Sequence, residues 1–187
     1  PGPADAGRHQ LESAMQEVIV RAEVPEDVRA IDVVNLSAFQ GEEEARLVSA
    51  IRRSGDFVPD LSLVAELNGR IVGHLLLSKV KLQRGGESRV VLALGPMSVV
   101  PSQSHRGIGS ELIQAAVRRA RDMRYPAIVV AGQPDYYQRF DFKPASTWGL
   151  ATNLRLPEDA LTAMELVPGA LNGGGKVVYP DVFAEIF

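Results

Sequence analysis

Alternating apolar and polar side chains define the first segments of the chain. Glu17–Glu23 alternates with a period of two, which predicts a half-buried strand, and Pro25 with the acids after it predicts a helix start. Apolar positions then recur at helical spacing between residues 28 and 39. A second amphipathic helix is expected to begin at the acidic run Glu42–Glu44 and to end near Gly55. The chain is therefore expected to open with a strand followed by two helices.

A three-stranded antiparallel meander is predicted next. Residues 61–67 and 70–82 are apolar and β-rich, and Asn68-Gly69 between them supplies the positive φ angles of a tight hairpin turn. A Gly-Gly turn leads into a third apolar run over residues 89–100. Gly95-Pro96 interrupts this run, and proline within a strand is confined to an edge, an end or a bulge. The third strand is therefore expected to be distorted there.

The second half of the chain begins with a β-α-β unit. Apolar residues at helical spacing predict a helix over residues 107–124, and the short run Ala127–Ala131 predicts a strand buried on both faces. Weaker patterns predict a short helix from Pro134, strands over 142–150 and 164–167, a helical turn over 157–163, and a final apolar run at 177–179. These elements together predict an α/β fold with a mixed sheet.

Composition narrows the class of protein. The 187 residues, 45% of them hydrophobic, suffice for one domain over residues 16–187, with 143–187 as its C-terminal strands and annex and 1–15 as a flexible segment. A net charge of −3 without a basic run argues against a nucleic-acid partner. Cysteine is absent, no apolar run reaches the roughly 18 residues of a membrane span, and no signal pattern is present. We therefore expect a cytoplasmic protein without a nucleic-acid or membrane partner.

A glycine turn predicts an anion site. Gly107-Ile108-Gly109 follows a strand and opens a helix, so several backbone N–H groups and the positive end of the helix dipole point at one place. Two nucleotide motifs are disfavoured, because Leu112 stands where a Rossmann turn has its third glycine and no lysine follows Gly109 as in a P-loop. A phosphate-bearing cofactor of another kind is expected at the turn.

Two motifs carry a resemblance to the GNAT superfamily of N-acetyltransferases. The run from Met97 through Ser104-His105-Arg106-Gly107-Ile108-Gly109 resembles the acetyl-CoA motif of the family, Gln/Arg-x-x-Gly-x-Gly/Ala, with Ser104 at its first position. Residues 136–142 resemble the Tyr-x-x-x-Gly-Phe segment, with Asp141 in place of glycine. Further similarity to the YhbS-like branch lies in Leu94-Gly95-Pro96, the Tyr136-Tyr137 pair, Val167–Leu171 and Tyr179-Pro180. The resemblance covers roughly residues 18–183.

The resemblance implies a mixed, mostly antiparallel sheet flanked by helices, with a splayed strand pair that admits acetyl-CoA as cosubstrate and with no metal. The pantetheine arm would pair with the backbone of Met97, Ser98 and Val99. The pyrophosphate would lie on the amides of Ser104, His105, Arg106, Gly107, Ile108, Gly109 and Ser110. Tyr137 matches the position of the general acid that protonates the departing thiolate.

The expected activity is acetyl transfer to a primary amine of a small molecule or peptide. The alternative is a catalytically weak or inactive CoA-binding sensor, suggested by Ser104, Asp141 and the lack of a carboxylate on the third strand. The base that deprotonates the amine is left open among Glu66, Glu87 and a water chain. The run Glu42–Glu44 either attracts a cationic acceptor or only complements a helix dipole. A homodimer is also left open.

Overall fold

A single mixed sheet organises the molecule. The computed structural model describes residues 17–187, so the expectation for residues 1–15 lies outside the described residues. The described strands are β1 (Val18–Ala22), β2 (Phe57–Leu67), β3 (Arg70–Arg84), β4 (Glu87–Val99), β5 (Ala127–Ala131), β6 (Lys143–Pro144), β7 (Leu150–Thr152), β8 (Leu161–Glu165) and β9 (Gly175–Val178). Their order is β1-β2-β3-β4-β5-β8-β6, and β9 pairs with both β3 and β7. The C-terminal strands are thus part of the same sheet.

Helices cover both faces of this sheet. The helices α1 (Val28–Ala38) and α2 (Glu43–Arg52) pack on one face, and α3 (Ile108–Asp122) packs on the other. A short helix, α4 (Pro134–Gln138), follows β5. Each face has its own apolar core, and alternate side chains of the central strands enter one core or the other. Within residues 17–187 no helix has the length and apolar character needed to cross a membrane.

The predicted hairpin is present. Asn68 and Gly69 join β2 to β3 with φ angles of 51° and 77°, the positive values that this turn requires. The strands are longer than expected, because β2 begins at Phe57 and β3 continues to Arg84. The C-terminal end of β3, Lys81–Gln83, pairs with β9, which is a long-range contact that no local pattern predicts.

The pairing of β4 makes the sheet mixed, as predicted. β4 is antiparallel to β3 but parallel to β5, where Leu92–Leu94 pairs with Ile128–Val130. Against β3, Leu75 pairs with Met97 while Leu77 pairs with Leu94. Two residues of β4, Gly95 and Pro96, therefore lie opposite one residue of β3, which is a β-bulge. The distortion expected at Gly95-Pro96 is confirmed.

Two expectations for the C-terminal third are wrong. Residues 142–150 do not form one strand: β6 ends at Pro144, a 3-10 turn follows over Ala145–Trp148, and Gly149 adopts a φ of 71° before β7. Residues 157–163 do not form a helical turn, because β8 begins at Leu161 and pairs with β5. Pairing with distant strands overrides the weak local patterns in both places.

Candidate functional site

The edge of β4 lacks a strand partner where it runs past β5. The last parallel pair joins Leu94 to Val130, and β4 continues to Val99. The backbone of residues 95–99 that faces β5 therefore has no strand beside it within residues 17–187. Two cavities lie along this splayed region, and Met97 lines both of them. We name them the turn cavity, against the glycine turn, and the wedge cavity, between the ends of β4 and β5.

The turn cavity has a volume of about 390 Å³ and surrounds the start of α3. Gly107 adopts a φ of 77° just before α3, and a Cβ built on it would meet no atom within 4 Å. The first amides of a helix have no intrahelical partner and carry the positive end of its dipole, so this cavity favours an anion. Its lining consists of Met97, Val99, Gln103, Ser104, His105, Gly107, Ile108, Gly109, Ser110, Tyr136 and Arg139.

Tyr136 and Arg139 complete the turn cavity from the side of α4. A Cβ on Gly109 would lie 2.8 Å from Tyr136 Oη, so a larger residue at Gly109 would displace the tyrosine. The Arg139 guanidinium lies 5.6 Å from the ring centroid of Tyr136 and 5.9 Å from that of Phe140. Arg139 thus adds a cation to a cavity whose backbone already favours an anion. Neither residue was predicted to bind phosphate, although both lie in the motif over residues 136–142.

Two of the predicted cofactor residues direct their side chains elsewhere. Ser98 is buried on the opposite face of β4, where its Oγ donates a hydrogen bond to Asn35 Oδ1 at 3.0 Å. Arg106 lines a separate surface cavity together with Glu111. The cofactor role predicted for Ser98 and Arg106 therefore rests on their backbone groups.

The wedge cavity has a volume of about 270 Å³ and is mostly apolar. Its walls come from the ends of β4 and β5, from α2, from α4 and from the C-terminal segment after β9. The larger apolar side chains among them are Phe39, Leu47, Leu94, Pro96, Met97, Phe183, Ile186 and Phe187. The polar side chains that line it are Glu44, Gln133, Tyr137 and Tyr179. The cavity therefore offers few polar groups within an apolar enclosure.

Tyr137 lines the wedge cavity from α4 and is only 7% exposed. Its ring makes edge-to-face contacts with Tyr136, at a centroid distance of 5.2 Å, and with Phe142, at 5.7 Å. Burial, with a smaller effect of Tyr136, raises the pKa of the Tyr137 hydroxyl well above its usual 10.0. The hydroxyl is therefore protonated at neutral pH and can donate a hydrogen bond or a proton, but cannot act as a base.

A buried chain of hydrogen bonds ties β4 to α1 next to the cavities. Ser98 Oγ donates to Asn35 Oδ1, and Asn35 Nδ2 lies 3.3 Å from His74 Nδ1. His74 Nε2 lies 2.9 Å from Ser62 Oγ on β2. Both ring nitrogens of His74 are thus occupied, and His74 lines neither cavity. Since Ser98 stands between Met97 and Val99, the chain holds β4 in place at the splayed region.

The far end of this chain is an ion pair. The Ser62 hydroxyl donates to the Glu23 carboxylate, which in turn pairs with Arg52. Complete burial, with a smaller effect of Arg52, lowers the pKa of His74 from 6.5 to about 3. His74 is therefore neutral at physiological pH and serves as a structural link.

Glu44, in the first turn of α2, is the one carboxylate that lines either cavity among the described residues. Glu66 and Glu87, both considered as the base, line neither cavity, and Glu66 Oε2 instead lies 3.4 Å from Arg21 Nε. Within residues 17–187 no group of three or more His, Asp or Glu side chains is arranged to hold a metal ion. The chemistry of the site thus rests on backbone amides, tyrosine hydroxyls, the Arg139 guanidinium and the Glu44 carboxylate.

Comparison with known proteins identifies the class. Residues 21–145 match the family model described as an acetyltransferase (GNAT) domain. This match covers more than half of the chain, so the chain belongs to the GNAT acetyltransferase family.

The relatives that resemble this chain cover nearly all of it. It is 30% identical to the uncharacterized N-acetyltransferase YhbS of Escherichia coli K12 over 168 residues, 89% of this chain and 98% of that protein. The crystal structure of YhbS in complex with CoA superposes with a TM-score of 0.83 at 28% identity, over 92% of this chain and 94% of that one. A GNAT acetyltransferase from Brucella melitensis in complex with acetyl-CoA gives a TM-score of 0.73 at 28% identity, over 90% and 99%.

Proposed function

We propose that this chain transfers the acetyl group of acetyl-CoA directly to a primary amine of a small molecule or peptide. The observation that carries the proposal is the position of Met97 between a cavity that favours phosphate and a cavity that the largely buried Tyr137 lines. Acetyl-CoA has a pyrophosphate at one end of its pantetheine arm and a thioester at the other, so it can span both cavities. The CoA and acetyl-CoA complexes of the two structural relatives support this assignment.

Backbone groups would provide most of the cofactor contacts. The pantetheine arm would add to the unpaired edge of β4 at Met97–Val99, in the place that another strand would take. The pyrophosphate would accept hydrogen bonds from amides between Ser104 and Ser110. Arg139 would add a charged contact from the other wall of the turn cavity.

The transfer itself needs one nucleophile and one acid. The ammonium form of the acceptor first loses one proton to solvent. The neutral amine nitrogen attacks the thioester carbonyl carbon, a C–N bond forms, and a backbone N–H near Met97 stabilises the negative charge on the oxygen. The C–S bond then breaks, the nitrogen loses a second proton to solvent, and Tyr137 donates its proton to the leaving thiolate and is reprotonated from solvent. The products are an N-acetylated amine and CoA.

The two departures from the family motifs are compatible with an active site of this kind. Asp141 adopts a φ of 69°, so it takes the left-handed conformation that glycine would supply at its position. Ser104 Oγ donates a hydrogen bond to the Pro101 carbonyl at 2.8 Å, which caps the turn before Gly107. Neither departure blocks the turn cavity, so we favour the enzyme over an inactive CoA-binding sensor.

Titration with acetyl-CoA and a turnover screen test the proposal. Gly107→Val places a side chain in the turn cavity and should weaken acetyl-CoA binding about 100-fold, the loss of two charge-assisted hydrogen bonds of about 1.5 kcal/mol each. Gly69→Val is the matched control, because Gly69 has the same φ of 77° and the same open surroundings but lies in the β2–β3 turn. Release of CoA thiol is then measured over amines, amino acids and peptides. Absence of acetyl-CoA binding, or absence of turnover with every amine, would refute the proposal.

A further inference from the structure

The acceptor side of the wedge cavity indicates which amines fit, provided that the proposed acetyl transfer is correct. We propose that the acceptor is a small monoamine with an apolar body and one further hydrogen-bonding group, bound with its ammonium group at Glu44. The proposal rests on the size of the cavity, its apolar walls, its single carboxylate and one buried hydroxyl without a partner.

The volume of the cavity limits the acceptor to a small molecule. At about 270 Å³ the wedge cavity is slightly smaller than the usual small-molecule site, whose volume is roughly 300–1,000 Å³. The acetyl group and the reacting nitrogen must share this space. An aminoglycoside or a long polyamine exceeds it, whereas an alkylamine or arylalkylamine of some seven to ten heavy atoms is of suitable size.

The walls favour an apolar body with one positive charge. Phe39 and Leu47 line one side, and Phe183 and Ile186 line the side formed by the C-terminal segment. Among the residues described, no arginine, lysine or aspartate lines the cavity, and Glu44 is its one carboxylate. A second ammonium group would have to leave water for these apolar walls without a counter-ion, which is strongly unfavourable.

Glu44 can receive the ammonium form of the acceptor. A simple amine has a pKa near ~10 and is mostly protonated at neutral pH, so it enters as a cation. Glu44 lies in the first turn of α2 and is partly buried at the cavity. Partial burial reduces the screening of this charge and strengthens its attraction for the ammonium group. Glu43 has the same place in the helix dipole but does not line the cavity.

Tyr179 indicates, independently of Glu44, that the acceptor carries a second polar group. Its side chain is 2% exposed and lines the wedge cavity, and its hydroxyl has no hydrogen-bond partner among the described residues. The ring packs edge-to-face on Phe183 at a centroid distance of 4.9 Å, and Asn153 holds its backbone with two hydrogen bonds. An unpartnered buried hydroxyl is unusual and costly, so a hydroxyl or carbonyl of the bound acceptor is a fitting partner.

Hexylamine and 1,5-diaminopentane provide a matched test of the apolar wall, since they have the same number of heavy atoms and differ by a methyl group against a second ammonium group. We expect kcat/KM to favour hexylamine by at least about 30-fold, and to rise about 3-fold per methylene from propylamine to hexylamine. Equal or inverted preference for the diamine would overturn the proposal.

Glu44→Gln tests the ammonium site, with Glu43→Gln as the control for charge and helix dipole. Glu44→Gln should raise the KM for hexylamine about 10-fold without changing the affinity for acetyl-CoA, because only a charge-assisted contact is lost. Glu43→Gln should leave both values unchanged. Equal effects of the two substitutions would overturn the role of Glu44.

Tyramine and 2-phenylethylamine test the hydroxyl of Tyr179. Tyramine should be the better substrate by about 5-fold, the value of one neutral hydrogen bond, and Tyr179→Phe should remove this difference. Equal use of both amines by the unaltered protein would overturn the assignment of the hydroxyl.

Calorimetric titration of the CoA-loaded protein with tyramine distinguishes failure of the acceptor site from failure of the proposed acetyl transfer. Tyramine binding that depends on Glu44, without turnover of any amine, supports the acceptor site and refutes the acetyl transfer. Turnover of polyamines or aminoglycosides alone supports the acetyl transfer and refutes the acceptor site.

Discussion

Replacing Tyr137 with phenylalanine removes one buried hydroxyl from the wedge cavity and leaves the ring in place. The ring contacts with Tyr136 and Phe142 are kept, so the substitution should have little effect on folding. Acetyl-CoA affinity should also be unchanged, since the anion-binding groups lie in the turn cavity, which Tyr137 does not line. The expected effect is a fall in kcat of about 10²- to 10⁴-fold, the usual value of a general acid.

The raised pKa of Tyr137 defines what kind of acid it is. A thiol has a pKa near ~8.5 and an unperturbed tyrosine near ~10, so full proton transfer to a thiolate in water is unfavourable by about 2 kcal/mol. Burial raises the pKa of Tyr137 and so increases the difference between the pKa values of the tyrosine and the thiol. The thiolate forms in the same apolar cavity and not in water, which raises the pKa of the thiol and reduces this difference. Tyr137 is therefore protonated at neutral pH before each turnover and donates its proton to the developing thiolate.

Single-turnover measurement reads this step directly. Enzyme in excess over acetyl-CoA is mixed with a saturating amine, and release of CoA thiol is followed, because product release limits the steady-state rate of many enzymes. Tyr136→Phe is the matched control: Tyr136 lines the turn cavity, so its loss should affect the KM for acetyl-CoA more than the chemical step. An unchanged single-turnover rate for Tyr137→Phe would show that Tyr137 only packs. A single-turnover rate that falls as the pH rises toward 9 in the unaltered protein, but not in Tyr137→Phe, would contradict a raised pKa for Tyr137.

Two further substitutions test the surroundings of the site. Arg139→Gln should raise the Kd for acetyl-CoA about 5-fold, the value of a solvent-screened charge pair, and the effect should be smaller at high salt. Arg121→Gln, at the far end of α3, is the control and should leave this Kd unchanged. Titration with acetyl-CoA at two salt concentrations measures both effects. The pKa of His74 is about 3 in the folded state and about 6.5 in the unfolded chain, so the unfolded chain binds more protons between these pH values. The contribution of His74 to the free energy of unfolding should therefore fall as the pH drops below 6.5, by up to about 1.4 kcal/mol per pH unit. Urea unfolding at pH 7, 5.5 and 4.5 measures this, and His74→Gln should flatten the dependence; an equal slope in the variant would mean that other groups cause it.

Contiguous local patterns made the turn cavity, where we propose that the cofactor phosphate binds, predictable from the sequence. The turn cavity is built mostly from residues 97–110, one stretch of chain in which an apolar strand, a glycine turn and an amphipathic helix follow one another. The groups that we propose bind phosphate are backbone amides, whose direction depends on the turn and the helix start more than on side-chain identity. Arg139 was not predicted to line this cavity, because its place there depends on how α4 packs against the start of α3, which is a long-range contact.

The wedge cavity, which we propose as the acceptor site, was not predictable, because its residues come from distant parts of the chain. The wedge cavity brings together Phe39 and Glu44 from the α1–α2 region, Pro96 from β4, and Phe183 from a segment after the last strand. No spacing in the sequence announces that these residues meet. The only local sign was the acidic run at the start of α2, and the helix dipole explains such a run without any ligand. Position at the cavity, which separates Glu44 from Glu43, appears only in three dimensions.

The bulge at Gly95-Pro96 connects the two sides, because it changes which face each later residue of β4 occupies. Before the bulge, Leu92 and Leu94 pack in the core beneath α3, and the residue between them packs in the core beneath α1 and α2. A regular strand would continue this alternation and direct Ser98 toward α3. The extra residue reverses the parity, so Met97 faces the cavities while Ser98 enters the polar chain with Asn35. One inserted residue thus directs Met97 to the cavities and lets Ser98 fix the strand to α1 on its opposite face.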